Sequence, residues 1–392
     1  MKKKIAILGS TGSIGKCLLN IISKDKKNFE IVLLSANTNH RLLFKQANKF
    51  KVKNLIITNK NIYNKIIKIQ KKNKINIYNN FNDLNLIFDN KIYYTMNSIV
   101  GIDGLIPTLN IIKYTKNIAV ANKESIICGW NLIRKKLFLH QTNFIPVDSE
   151  HFSIWSLLNS KNYKPLDVDK LYLTASGGPF YKKKLKSLNN VKIADALNHP
   201  TWKMGKKISI DSATMINKVF EIIEAKKIFN ISYDKLNILI HPKSYVHSIL
   251  KFKNGLINLV AHNTSMSIPI YNSLNMKPSY LSNTKINIDK LNNLDFAYPD
   301  VKNFPLIKLL KEIPTNDSLF ETVIITINDY LVNLFLNNKI KFTDISKLMF
   351  KIINTNDLKR YKLIYPNNIK MILKTKKVTE NFINKFLNLK NV

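Results

Sequence analysis

The stretch AILGSTGSIGK, residues 6–16, constrains the fold more than any other part of the chain. Ile5, Ala6, Ile7 and Leu8 make an apolar run of strand length that stops at Gly9. Gly9, Gly12 and Gly15 then recur at every third position, with Ser10, Thr11 and Ser13 between them. From Ile14 the spacing turns helical, and Ile14, Leu18, Leu19 and Ile22 fall on one face. A strand feeding a glycine-rich turn and a helix presents free backbone N–H groups at a helix N-terminus, where a pyrophosphate binds. The spacing G-x-x-G-x-x-G departs from the standard dinucleotide fingerprint, so taken alone it also fits a plain tight turn.

The next apolar run, Phe29–Leu34, leads into SANTNHR, Ser35–Arg41. A strand end that selects NAD usually carries an acid for the ribose 2′-hydroxyl. Thr38, Asn39, His40 and Arg41 are neutral or basic. That favours a 2′-phosphate, hence NADP, over the alternative of ordinary loop residues.

Further apolar runs at Leu55–Ile57, Ile99–Val100, Ile118–Val120 and Phe144–Val147 alternate with helical patterns. This βαβ rhythm implies an α/β fold whose N-terminal domain, residues 1–149, is a Rossmann-like parallel sheet. Residues 59–90, rich in Lys, Asn and Ile, read as helix plus loop. Residues 150–275 mix strands and helices with a rising density of Ser, His, Gly and acids, as an α+β catalytic domain would. NMKPSY and DFAYPDVKNFP mark a linker over 276–303, and 304–392 reads as a C-terminal helical domain without repeats.

At 392 residues there is room for two or three cores. The apolar runs are too short to span a bilayer. MKKKIAILG looks like a signal-peptide start, but its apolar stretch stops at Gly9 and no small-residue cleavage site follows. Cys17 and Cys128 fit no metal or disulfide spacing, and the expectation is a cytoplasmic protein with no membrane partner. The formal charge of +37 invites a nucleic-acid partner. Yet only Arg41, Arg134 and Arg360 are arginine, the preferred reader of phosphates and guanines. Lysine is spread along the chain beside Asn and Ile, residues that share A/T-rich codons. Composition therefore accounts for the charge without specific nucleic-acid binding, while non-specific polyanion binding at low salt is expected.

Four stretches carry chemistry. VANKES, Val120–Ser125, puts Lys123 at the carboxyl end of a strand, the rim where open α/β sheets bind ligands, unless it is a solvated loop lysine. PVDSEH, Pro146–His151, places Asp148 and Glu150 two apart, so in extended chain they share a face and suit a Mg²⁺ or Mn²⁺ ion better than a bare surface pair. LTASGGPF, with Ser176, Gly177 and Gly178, leaves backbone open to a close-approaching ligand. NHPTWKMG, carrying His199, Trp202, Met204 and Gly205, suits a water-excluding lid around 198–206, or else a surface loop with an aromatic anchor. In DSATMINKVFEIIEAKKIF, Asp211 or Ser212 is expected to cap a helix. Ile216, Val219, Phe220 and Ile223 then face the core, and Asn217, Lys218, Glu221 and Glu224 the other side. Ser212, Asn217 and Lys218 are donors for a phosphate. Glu221 is a candidate third carboxylate, or half of an i,i+3 surface pair with Lys218.

In this order GSTGSIG, ANKES, PVDSEH, ASGGPF, HPTWKMGKKISIDSATMINK and IHPKSYVHS resemble the 1-deoxy-D-xylulose 5-phosphate reductoisomerases, from Lys4 to about Lys277 and more weakly through FLNNKIKFTDI. The resemblance implies NADPH-dependent conversion of 1-deoxy-D-xylulose 5-phosphate to 2-C-methyl-D-erythritol 4-phosphate, in the non-mevalonate route to isoprenoid precursors, by a homodimer. It places Thr11, Gly12, Ser13 and Ile14 on the cofactor pyrophosphate, and Asn37, Thr38 and Asn39 on the adenosine side. Asn122, Glu124 and Gly205 complete the cofactor site. Asp148, Glu150 and Glu221 would hold one Mg²⁺, Mn²⁺ or Co²⁺. Lys123, Ser149, Glu150, Ser176, His199, Trp202, Ser212, Asn217, Lys218 and Glu221 would line the sugar phosphate. Lys123, Asp148, Glu150, Glu221 and His199 would be catalytic, and His241 would lie near the site. The implied chemistry is Lewis-acid polarisation of the ketone, a retro-aldol/aldol or α-ketol rearrangement, and hydride delivery to the resulting aldehyde. The chain departs from the pattern at Asn37 and Thr38, where the family commonly has Gly and a basic residue, and at Val219, where it has a small one. Asn tolerates a left-handed backbone, which would preserve the turn at Asn37.

Other readings need residues the chain lacks in the right place. A semialdehyde dehydrogenase needs a nucleophilic Cys, and Cys128 has no His close in sequence. A short-chain dehydrogenase needs Tyr-x-x-x-Lys, and Tyr298–Lys302 is interrupted by Pro299. A basic nucleic-acid-binding protein would not need the carboxylate and phosphate residues.

Overall fold

Ile5–Leu8 are wholly buried, as expected of a strand covered on both faces. They belong to a computed structural model that describes residues 1–69, 75–159, 163–274 and 286–387. The chain divides into two units. The first takes Met1–Ile126, Leu132–Trp155 and the segment that begins at Met266; the second takes Ile127–Asn131, Ser156–Ser265 and the chain from Thr284.

In the first unit β1 (Lys3–Leu8), α1 (Ser13–Ser23), β2 (Phe29–Ala36), α2 (His40–Phe50), β3 (Asn54–Ile57), α3 (Lys60–Ile69) and β4 (Asn76–Tyr78) build one half of a sheet. Next come β5 (Ile92–Asn97), α4 (Leu105–Ile111), β6 (Thr115–Val120), α5 (Lys123–Leu139), β7 (Asn143–Pro146) and α6 (Ser149–Leu158). The seven strands lie in the order β4-β3-β2-β1-β5-β6-β7, every pair parallel. The order reverses between β1 and β5, and ligands bind outside the carboxyl ends of strands at such a switch point.

The second unit holds β8 (Val168–Ala175), α7 (Ile193–Leu197), α8 (Lys206–Ala213), α9 (Ile216–Phe229), β9 (Leu236–Ile240), β10 (Val246–Phe252) and β11 (Ile257–Ala261). Its four-stranded sheet runs β11-β10-β8-β9, with β8 and β9 parallel and the other pairs antiparallel. α10 (Ser267–Ser273) belongs to the first unit, where Ser273 Oγ lies 2.7 Å from the Tyr94 hydroxyl. α11 (Ile288–Asn292), α12 (Phe320–Leu336), α13 (Phe342–Ile353), α14 (Asn356–Lys359) and α15 (Ile369–Phe386) complete the second unit. α12 is apolar nearly all round and buried accordingly, packed by α8, α13 and α15. Among the described residues no helix is long and apolar enough to cross a membrane.

Several local expectations need correction. Ile99 and Val100 follow strand β5 instead of forming one, and the segment read as helix plus loop also contains β4. Asp148 and Glu150 are not on extended chain: Asp148 precedes α6, its carbonyl accepting Phe152 N–H at 2.8 Å, and Glu150 is in the first turn. Asp211 and Ser212 do not cap the helix of Asn217. They end α8, and α9 starts only after Met215, a buried residue at φ 62°. The face of Lys218, Glu221 and Glu224 is not solvated; these residues are 4%, 1% and 2% exposed. NMKPSY lies outside the described residues.

Candidate active site

In the first unit the glycine turn is built by close approach. Gly9 has φ +81°, and a Cβ there would stand 2.9 Å from Ser98 O beyond β5. At Gly15 a Cβ would meet Ser10 Cα at 2.5 Å, so only glycine lets α1 start this close to the turn. Ser10 is buried, its hydroxyl donating to Gln46 Oε1 at 2.8 Å while Gln46 Nε2 donates to Ser10 O at 2.9 Å. The turn is thus tied to α2, with Gly12 and Ser13 exposed and no side chain capping α1 at Gly12. The first N–H groups of α1 therefore remain available to an anion.

At the end of β2, Asn37, Thr38 and Asn39 are exposed. Asn39 caps α2, accepting Leu42 N–H at 3.2 Å. Asn37 has no positive φ, so the left-handed turn expected there is not formed. Asn122, only 2% exposed, caps α5: it accepts Ser125 N–H at 2.8 Å and donates to Gly101 O at 2.7 Å. Its cap sets Lys123 as the first residue of α5, with Glu124 buried behind it.

Lys123 Nζ lies 2.9 Å from Asp148 Oδ2, and His151 Nδ1 lies 3.4 Å from Asp148 Oδ1. Burial pushes the Asp148 carboxyl upward, but the Lys123 ammonium and the His151 ring outweigh it and hold the group well below its usual range. Asp148 is therefore ionised, as a metal ligand must be. Ser149, itself buried, donates to Glu150 Oε2 at 2.5 Å. The donors of Asp148 and Glu150 are hard carboxylate oxygens, which fit Mg²⁺ or Mn²⁺ and not a soft metal.

The second unit brings Ser176, His199 and Ser212 together. His199 Nε2 lies 2.9 Å from Ser176 Oγ and 3.1 Å from Ser212 Oγ. Its Nδ1 accepts the backbone N–H of Trp202 at 3.0 Å and of Thr201 at 3.2 Å. Burial pushes the ring's pKa down to about 4, so it is neutral near pH 7. The two glycines after Ser176 are not open to a ligand as expected. Gly178 has φ +67°, and its absent Cβ makes room for the backbone of Ser212 and Ala213. In α9, Lys218 Nζ and Asn217 Nδ2 donate to the two carboxylate oxygens of the buried Glu221. Trp202 and Met204 are half-buried, Gly205 is exposed at the start of α8, and the Trp202 ring meets His247 edge-on at 6.2 Å. His241 is fully buried, and its Nδ1–H donates to Asp295 O at 2.9 Å.

Sequence reasoning missed His151, Gln46 and the role of Gly178. Only His151 left a signal: it stands three residues after Asp148, the spacing at which side chains meet on a helix.

The comparisons with known proteins converge on one family. Residues 5–129 match the family described as 1-deoxy-D-xylulose 5-phosphate reductoisomerase, and residues 144–229 and 262–382 match two C-terminal domains of the same enzyme. A 1-deoxy-D-xylulose 5-phosphate reductoisomerase of Pelagibacter ubique is 57% identical over 94% of this chain and 95% of its own length. One from Clostridium acetobutylicum is 39% identical over 90% and 92%. Among solved structures, a DOX-P reductoisomerase in complex with NADPH, fosmidomycin and magnesium superposes with a TM-score of 0.88 at 28% identity, covering 99% of this chain and 100% of that one. The Zymomonas mobilis enzyme in complex with NADPH gives 0.83 at 30%, covering 97% of each chain. With full-length identity above half to a curated member, the chain belongs to the 1-deoxy-D-xylulose 5-phosphate reductoisomerase family.

Proposed function

We propose that the chain rearranges and reduces 1-deoxy-D-xylulose 5-phosphate to 2-C-methyl-D-erythritol 4-phosphate with NADPH, supplying isoprenoid precursors by the non-mevalonate route in the cytoplasm. The observation that carries this reading is the pairing of chemistries. The first unit has a dinucleotide-type turn and an ionised carboxylate beside Lys123, and the second has a seat of hydroxyl and ammonium donors.

Ser176, Ser212, Asn217 and Lys218 anchor the phosphate, the end of the substrate that does not react. Binding energy from such an end goes into orientation and closure at the reacting end. Trp202 and Met204, on the segment between α7 and α8, cover the substrate and exclude water. Asp148, Glu150 and Glu221 hold one divalent ion, Mg²⁺, Mn²⁺ or Co²⁺. When bound, that ion supplies Lewis-acid polarisation of the substrate's ketone. Lys123 keeps Asp148 charged and sets its own ammonium beside the reacting oxygens. Thr11–Ile14 would receive the pyrophosphate, Asn37–Asn39 the adenosine end, and Asn122 and Glu124 the nicotinamide side, with Gly205 on the cofactor as well. NADPH supplies the hydride.

The protein works as a homodimer. β11 is an edge strand with Ile257 and Leu259 exposed at 56% and 45%, an apolar edge that a second copy covers. Light scattering on Leu259→Lys tests this, a monomer being the expected result and an unchanged dimer the refuting one for this edge.

NADPH oxidation with 1-deoxy-D-xylulose 5-phosphate and Mn²⁺, in wild type and Glu150→Gln, tests the activity. Turnover should vanish on chelation and fall in the variant by at least the roughly ten- to hundredfold that losing a supporting partner of a metal ligand costs. A folded wild type that binds NADPH and does not turn over would refute the reading.

A further inference from the structure

We propose that His199 is a positioning residue acting as its neutral Nε2–H tautomer, which aims the hydroxyl protons of Ser176 and Ser212 at a phosphate and makes the order of the Thr201–Trp202 backbone depend on that phosphate being bound. The proposal rests on the reading of these serines as the phosphate seat.

The tautomer follows from what can donate. Backbone N–H groups only donate, and two of them, from Thr201 and Trp202, point at Nδ1 at 3.2 and 3.0 Å. Nδ1 must therefore carry its lone pair, and a neutral ring then has its proton on Nε2. A proton at Nδ1 would set N–H against N–H and abolish both bonds. The fall of the ring's pKa by burial agrees with a neutral ring.

Nε2–H sits between Ser176 Oγ and Ser212 Oγ, so these oxygens accept from it. Ser176 Oγ also accepts the N–H of Gly178 at 3.0 Å. With both acceptor positions taken, the Ser176 proton can only point outward. Ser176 thus presents a proton, not a lone pair, to whatever occupies the seat, and Ser212, which takes the other share of the same Nε2–H, is left able to turn its proton the same way. An anion is the ligand that such donors fit.

All bonds in this chain run the same way: backbone N–H to Nδ1, Nε2–H to Oγ, and O–H to the ligand. Hydrogen bonds in such a chain polarise one another. An anion on the serine protons makes Oγ a better acceptor, which draws on Nε2–H and makes Nδ1 a better acceptor in turn. Phosphate at one end therefore tightens the grip on the backbone of Thr201 and Trp202 at the other. This links seat occupancy to the segment that carries Trp202 and Met204.

The test uses the full-length chain with inorganic phosphate as probe. In the wild type labelled with ¹⁵N-histidine, Nδ1 of His199 should show the shift of an unprotonated acceptor and Nε2 that of an N–H, both near pH 7. A cationic ring or an Nδ1–H tautomer overturns the proposal. Hydrogen exchange at the amides of Thr201 and Trp202 then reads the coupling. Phosphate should slow it about tenfold in the wild type, the weight of roughly one hydrogen bond. In His199→Gln, whose amide reaches the serines but leaves the Nδ1 position empty, phosphate should bind without slowing those amides. In His199→Asn, whose carbonyl stands in for Nδ1, the amides should stay protected but insensitive to phosphate. Equal phosphate protection in wild type and His199→Gln overturns the coupling. If phosphate fails to bind the wild type, the phosphate reading of the seat falls and the coupling with it, while the tautomer is decided by the spectrum alone.

Discussion

Replacing Gly178 by Ala tests how the two halves of the phosphate seat are held together. Two costs are expected. At φ +67° an L-residue sits in the left-handed region, at about 1–2 kcal/mol. The new Cβ would also stand 2.9 Å from Ser212 O and 3.1 Å from Ala213 Cα. These are backbone atoms of α8 that cannot rotate aside, and overpacking of this kind costs about 1–3 kcal/mol. The unfolded chain loses some freedom with Ala, which returns about 0.4–1 kcal/mol. The net expectation is a loss of about 2–4 kcal/mol. Gly255→Ala is the control, because Gly255 has φ +88° with nothing within 4 Å of the added Cβ. It carries the conformational cost alone, about 1 kcal/mol after the same offset. Both glycines lie in the second unit, so urea titrations followed by circular dichroism compare them in the same unit. The clash moves α8 away from β8, and with it Ser212 from Ser176. The KM for the sugar phosphate should therefore rise about tenfold in Gly178→Ala with kcat less affected, the signature of lost anchoring. Equal destabilisation of the two variants would refute the packing argument, and an unchanged KM would refute the claim that this contact sets the seat.

Three further outcomes are expected. Lys123→Met removes the cation 2.9 Å from Asp148; the carboxyl should rise, and the acid limb of the pH–rate profile should move to higher pH. Lys227→Met takes the ammonium from Glu321, 3.1 Å away and 1% exposed, and from Asp317; leaving these carboxylates unpaired should cost about 3–5 kcal/mol in urea titration, with partial recovery in the double variant with Glu321→Gln. Burial lowers the pKa of His199, to about 4, and also lowers those of His241 and His262. Between about 4 and 6.5 the unfolded chain then binds more protons than the folded one, so stability should rise with pH across that window and be lost as pH falls through it. Asp148, whose pKa is lowered, adds its own loss only below about 3.8, so urea midpoints at pH 7.0 and 5.0 report the histidines.

What was legible in the sequence is what is local. The strand, the glycine turn and the start of α1 are neighbours in sequence, and each signals its conformation through its own residues. Asn122 and Asn39, read from the sequence only as cofactor residues, also cap helices from within three residues, a local role that was not read. What was not legible depends on partners far along the chain. Nothing near Gly178 shows that its missing Cβ admits the backbone of Ser212 and Ala213. The apolar spacing around Ile216 continues through a break that only the φ of Met215 reveals, because periodicity records which face is buried and not where a helix restarts. Lys218, Glu221 and Glu224 read as a polar face because charge usually means solvent. They are buried here, and Lys218 with Asn217 supplies hydrogen bonds to both oxygens of Glu221 that make its burial tolerable. A charged residue type in a motif therefore names the chemistry of the site, whereas the donors around it decide whether that charge can be buried. Those donors reach the site by folding, which is why the same residues that were easiest to find were placed on the wrong side of their helix.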